Sequence, residues 1–71
     1  MPVFFYDPRK ETWLSFCDRC AKEEQTRNAR QEQGWEEVRL GLEDPKRQEQ
    51  GLWYCQTCGA LLEDVPPIRF V

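Results

Sequence analysis

Two C-x-x-C pairs, several short β-prone runs and too few apolar residues to hold so short a chain together predict one fold class: a small β-rich domain stapled by a metal ion. The pairs are Cys17/Cys20 and Cys55/Cys58, and no cysteine is left over. At 71 residues the sequence accommodates a single domain, read here as 1–71. Chains below roughly 70–80 residues rarely bury enough apolar surface to be stable without a staple. Leu, Ile, Val and Phe make up only 15 of the 71 residues, while 32% of the chain is charged. That apolar share lies close to the ~20% level at which chains stop folding. Nine aromatic residues compensate in part, because each covers a large area when buried.

Taken in order, residues 3–6 (VFFY) and 12–16 (TWLSF) are β-prone and flank Asp7-Pro8-Arg9-Lys10, a turn signal, so they predict a hairpin running directly into Cys17. Residues 21–33 (AKEEQTRNARQEQ) are polar on every side, with Ala21 and Ala29 as the only apolar positions. Helix propensity is good there, and Glu23 to Arg27 has the favourable i,i+4 order, which predicts a polar insertion forming a solvated helix or a mobile segment. After Gly34, residues 35–40 are strand-like, with Val38, Leu40 and Leu42 alternating against Glu37, Arg39 and Gly41. Trp35 is out of phase with that apolar set and is the aromatic expected to make an exposed contact; the other aromatics are expected in the core. Residues 43–51 read as a polar loop punctuated by Pro45 and Gly51. Residues 52–54 predict a third strand entering Cys55, and residues 60–62 its return strand. Residues 65–71, with two prolines, predict an extended tail that either pairs with VFFY or adds a strand to a partner.

The cysteines carry the chemistry. Thiolates are preferred ligands of structural zinc, which takes four of them tetrahedrally. Two intervening residues let both sulfurs of a pair converge on one ion while backbone amides point at them. Gly59 follows the second pair, in the run WYCQTCG, and supplies the left-handed conformation such a turn needs. The first pair, in the run CDRCAKE, has Ala21 at the matching position and therefore a different local turn. The predicted ligand set is Cys17, Cys20, Cys55 and Cys58, holding one structural Zn²⁺, with iron second because a tetrahedral sulfur site suits both. Redox dithiols are the weaker alternative, since a thioredoxin-like site needs a βαβ context that this pattern does not supply.

Two knuckles joined by a spacer of a few tens of residues resemble a zinc ribbon, most closely over residues 52–62 and the first pair, hardly at all through the polar middle. The resemblance implies a β-hairpin under each knuckle and a structural role in a protein or nucleic-acid complex, with transcription and translation machinery the usual settings. A second resemblance is to rubredoxin, which is also small, acidic and aromatic-rich with an aromatic strand entering a CxxCG knuckle. It would imply iron and one-electron transfer. The first knuckle here lacks the glycine of rubredoxins, and the spacer is longer and more polar.

Other function classes fare worse. The formal net charge is −3, and a dication on four thiolates takes it to about −5, so the electrostatic footprint of a general nucleic-acid binder is missing. The only local basic group, Arg19, Lys22, Arg27 and Arg30, is interleaved with Glu23 and Glu24 and reads as a solvated face. A closed sulfur shell leaves no open coordination position for a catalytic water, and the chain has no histidine to act as general base. Glu23/Glu24, Glu36/Glu37 and Glu43/Asp44 sit in polar stretches and read as solvated, and Ser15 has no visible base. A non-enzyme without a small-molecule substrate is expected. No signal-like segment opens the sequence, and no apolar run nears the about 20 residues of a membrane span, so a cytoplasmic protein with no membrane contact is expected. The combined expectation is a zinc-dependent adaptor that binds a protein partner; a rubredoxin-like iron carrier comes second and a nucleic-acid-binding ribbon third.

Overall fold

A computed structural model describes residues 1–65. The chain opens with the expected hairpin: β1 (Val3–Asp7) pairs antiparallel with β2 (Thr12–Phe16), in a register that sets Phe4 opposite Ser15 and Tyr6 opposite Trp13. Its turn is fixed by Asp7, whose Oδ1 accepts hydrogen bonds from the backbone N–H groups of Arg9 (2.9 Å) and Lys10 (3.2 Å). A short strand, β3 (Glu36–Val38), pairs with the other edge of β1, so the sheet order is β2-β1-β3. The strand expected over 35–40 is therefore shorter, because it meets only Phe4, Phe5 and Tyr6 before the chain turns at Gly41, whose carbonyl accepts from the Asp44 amide. The tail over 65–71 is expected to pair with residues 3–6 or with a partner. Apart from Val65, that tail lies outside the described residues.

Consecutive residues of a strand point to opposite faces. Phe4 and Phe5 are each 3% exposed, so both faces of β1 are covered. Over one face lies α2 (Glu24–Gln33), together with Trp35, Phe16 and the Arg30 guanidinium, 5.1 Å from the centre of the Phe5 ring. The polar segment thus does find a face to bury: Thr26 is buried, Ala29 is half-buried, and Arg30 lays its stem across an aromatic ring while its head stays wet. Gly34 closes the helix at φ 69°, and the amides of Gly34 and Trp35 both donate to the Arg30 carbonyl.

The opposite face is covered by α3 (Pro45–Gln50), in a stretch expected to be a loop. Asp44 caps it by accepting from the Lys46 amide at 2.9 Å, Pro45 takes the first helical position, and Gly51 ends it at φ 64°. The helix delivers Arg47 into the core with no exposed surface. Its guanidinium sits 4.8 Å from the Phe4 ring centre and 4.9 Å from that of Trp53. It also forms a two-pronged pair with Asp64, at 2.6 and 3.1 Å, while Nε donates to the Leu52 carbonyl. Because α3 ends at its Gly51 cap and the chain turns through residue 53, the strand expected over 52–54 shrinks to one antiparallel bridge, Tyr54 to Leu61, and the return strand over 60–62 shrinks with it.

Trp35 overturns its expected role. It lies against Phe5 and Phe16, with ring centres 5.9 Å from each, and its Nε1–H donates to Asp7 Oδ2 at 3.1 Å. Tyr54, expected in the core, is instead 56% exposed. The buried apolar set among the described residues is Phe4, Phe5, Phe16, Leu52 and Leu62 together with Cys20 and Cys55, so two of the four cysteines are themselves core residues.

Candidate metal centre

Each knuckle is positioned by what precedes it. Cys17 directly follows β2 and caps α1 (Asp18–Ala21), its Sγ accepting from the Cys20 amide at 3.4 Å. Cys20 lies within that single helical turn, and the Ala21 amide donates to the Cys17 carbonyl at 2.9 Å. This is the different local turn that Ala21 predicts: the chain leaves the first knuckle into helix and not along a return strand. The second knuckle sits on the Tyr54–Leu61 bridge. Gly59, at φ 74°, lets its amide reach the Cys55 carbonyl at 2.9 Å, and the Cys55 amide reaches the Ala60 carbonyl at 2.8 Å.

The knuckles are brought together by contacts that sequence reasoning missed. Buried Ser15, on β2 two residues before Cys17, donates its hydroxyl to the Tyr54 carbonyl at 2.7 Å. Its own carbonyl accepts from the Gln56 amide at 2.9 Å. Ser15 thereby fastens the strand that feeds one knuckle to the turn that forms the other. A second tie runs from the Asp18 amide to Glu63 Oε1 at 3.0 Å. Partial burial pushes the Glu63 carboxyl up, but that amide and the residue's own N–H hold it below the ordinary carboxylate range. The signal for Ser15 in the sequence is a polar residue on the same strand face as Trp13, where its role is to tie the two knuckles and not to act as a nucleophile. The carboxylates Glu23, Glu24, Glu36, Glu37 and Glu43 are exposed, whereas Asp44 is half-buried as the helix cap.

The four sulfurs converge. All lie within 4.8 Å of one another, and Cys17 Sγ and Cys58 Sγ are 3.9 Å apart. Metal–sulfur bonds of about 2.3 Å in a regular tetrahedron require sulfurs about 3.8 Å apart, so the cluster fits a tetrahedral ion with small adjustments. Its burial is lopsided: Cys20 and Cys55 are buried, Cys17 is half-buried and Cys58 is exposed. The electrostatics also favour a cation. The Cys20 thiol is pushed far up by the adjoining Cys17 sulfur, by burial, and by the sulfurs of Cys55 and Cys58. Burial pushes Cys55 up as well, but the backbone amides of Cys58, Cys17 and Thr57 overcome it and bring the thiol down to about 6. Four sulfurs this close cannot all ionise unless a cation sits among them, and the amides around Cys55 supply only part of the compensation.

The chain is thus a small domain with a three-stranded antiparallel sheet and four cysteines positioned to bind one metal ion. Comparison with protein-family models, with curated proteins and with solved structures finds no match for it. Among the described residues, no helix is long and apolar enough to cross a membrane.

Proposed function

We propose that this chain is a non-catalytic zinc-binding module of zinc-ribbon type that acts as a small adaptor for a protein partner. The observation that carries the reading is the convergence of Cys17, Cys20, Cys55 and Cys58 within 4.8 Å from two knuckles far apart in sequence. Those sulfurs would hold the ion, which supplies a positive centre for four thiolates and ties the two ends of the domain together. Zinc is preferred to iron because the first knuckle lacks the glycine of rubredoxins and the spacer is longer and more polar, and the closed shell favours a structural over a catalytic role.

The adaptor reading draws support from the surface beside the site. Tyr54 and Leu61 face each other across the bridge under the second knuckle and are both exposed, at 56% and 36%. An open groove of about 660 Å³ between the start of β1 and the exit of β3 is lined by Val3, Val38, Leu40 and Leu42 and by the charged Asp18, Glu37, Arg39 and Asp64. Transcription or translation machinery is the setting that the ribbon resemblance suggests, and the acidic balance disfavours nucleic acid. Elemental analysis and an absorbance spectrum of the purified chain test the metal: one zinc per chain and no visible colour are expected. One specific feature favours the rubredoxin-like alternative, namely that exposed Cys58 would bring the edge of a metal centre to the surface, where an electron could leave. A red protein with one iron and reversible one-electron redox would replace the adaptor reading with that one.

A further inference from the structure

The four sulfurs differ in what surrounds them, and the difference has a chemical consequence. Cys20 and Cys55 are buried in the core. The Cys17 sulfur accepts the Cys20 amide at 3.4 Å. Cys58 is the exposed member of the set, and its sulfur lies 3.9 Å from that of half-buried Cys17. A thiolate's reactivity toward oxidants follows its access to solvent and its charge, and hydrogen bonds from amides quench that charge. The most accessible sulfur therefore has a second sulfur beside it that belongs to the other knuckle.

We propose that Cys58 is a peroxide-sensitive modification site and that Cys17 is its resolving partner, so that oxidation joins the two knuckles by a disulfide and discharges the metal. The proposal rests on the metal-binding reading given above. The oxidant is a hydroperoxide. The Cys58 thiolate attacks one peroxide oxygen; an S–O bond forms, the O–O bond breaks, and hydroxide (or alkoxide) leaves. Sulfur loses two electrons and becomes a sulfenic acid, while the peroxide is reduced. The Cys17 thiolate then attacks the Cys58 sulfur, forming the S–S bond and expelling the oxygen as hydroxide. Two thiolates and one peroxide thus give one disulfide and two hydroxide ions. Closing 3.9 Å to the about 2.05 Å of a disulfide is a movement within reach of an exposed side chain. The site is left with the Cys20 and Cys55 sulfurs alone, too few to retain a tetrahedral ion. The knuckles stay joined covalently across the loop from Cys17 to Cys58, so the metal is lost without the two halves of the site separating.

The test uses the full chain as purified. Metal content is measured first. Hydrogen peroxide is then added in steps with a chromogenic zinc reporter, free thiols are blocked, and unreduced tryptic peptides are mapped. Cleavage after Arg19 puts Cys17 and Cys20 on separate peptides, and fragmentation distinguishes Cys55 from Cys58. The expected result is release of one zinc per peroxide consumed, with a Cys17–Cys58 cross-link as the first product and a reductant restoring full metal binding. A first cross-link within either knuckle, a first cross-link involving Cys20 or Cys55, or retention of the metal while Cys58 is oxidised would overturn the proposal. A chain that carries no metal before peroxide refutes the metal reading by itself, and the identity of its first cross-link still decides whether Cys58 and Cys17 are the reactive pair.

Discussion

The guanidinium of Arg47 has aromatic rings of Phe4 and Trp53 on its flanks and the Asp64 carboxylate at its end. A cation can be fully enclosed only where such partners replace its water, and removing one partner of a buried pair typically costs about 3–5 kcal/mol. Asp64→Asn, which strands the buried charge, is therefore expected to lower stability by about that amount. Arg47→Met, which keeps much of the stem packing and leaves the partly exposed Asp64 able to hydrate, is expected to cost less. Urea denaturation of the two variants and of the double variant, with metal saturating, measures the coupling; equal midpoints for Asp64→Asn and the parent would mean that the pair does not hold α3. Asp7 is a second residue whose setting decides its chemistry. Burial pushes its carboxyl up, but the Lys10 amide, the Trp35 indole N–H and the Arg9 amide together hold it below 3.8. A depressed folded-state value means that the ionised form stabilises the fold at neutral pH and that this contribution is lost as pH falls through the folded value, below 3.8. Carbon-detected NMR of the Asp7 carboxyl should thus show a titration midpoint below 3.8, and a midpoint above that would contradict the hydrogen bonds to Trp35 and the turn. Trp35 also shows what alternation misses: its phase relative to Val38 excludes it from the β3 face, yet the residue precedes β3 and packs from the end of α2 instead.

Among the elements, α3 carried its full signature in the sequence: Asp44 as cap, Pro45 at the first position and Gly51 just past the end. It was hidden because Pro and Gly also punctuate loops and because the segment has no apolar stripe; its inward residue is an arginine. Asp44→Ala is expected to cost about 1 kcal/mol through loss of the cap. Gly51→Ala should cost about 1–2 kcal/mol through the left-handed backbone alone, since nothing lies within 4 Å of the added methyl group. Both are read as shifted urea midpoints with the metal retained, and a Gly51→Ala loss far beyond 2 kcal/mol would point to packing that the fold does not contain. The β1–β2 hairpin was legible because turn chemistry and β propensity agreed, and the helix over much of 21–33 because its propensity was good. The Leu52–Tyr54 run was not, because its β propensity was overridden by the helix cap before it and the knuckle after it. For the site, the spacing of the cysteines named all four sulfurs that converge. The Ser15 and Glu63 ties that set one knuckle against the other depend on tertiary placement, which no local pattern encodes.

At the scale of the molecule the question is which term holds the fold. The described core contains five buried apolar side chains besides the cysteines, and a core in a chain of this size rarely supplies more than about 3–5 kcal/mol. A structural tetrathiolate zinc site has an apparent binding free energy of about 10–16 kcal/mol at neutral pH, which outweighs that margin severalfold. The two terms are not independent, because Cys20 and Cys55 belong to the core and the Ser15 ties align both knuckles. Removal of the ion leaves Cys20 and Cys55 buried among sulfurs that repel one another once ionised, so the loss falls on the centre of the domain. A strong chelator is therefore expected to abolish the sheet and helix signals in circular dichroism at 25 °C, and zinc to restore them. Cys55→Ser and Cys20→Ser should resemble the chelated chain even in excess zinc. Cys58→Ser, whose change lies on the wet side of the site, should retain weakened binding and a partly folded spectrum. An unchanged spectrum after verified metal removal would show that the sheet and its helices are self-sufficient and that the cysteines are not the staple.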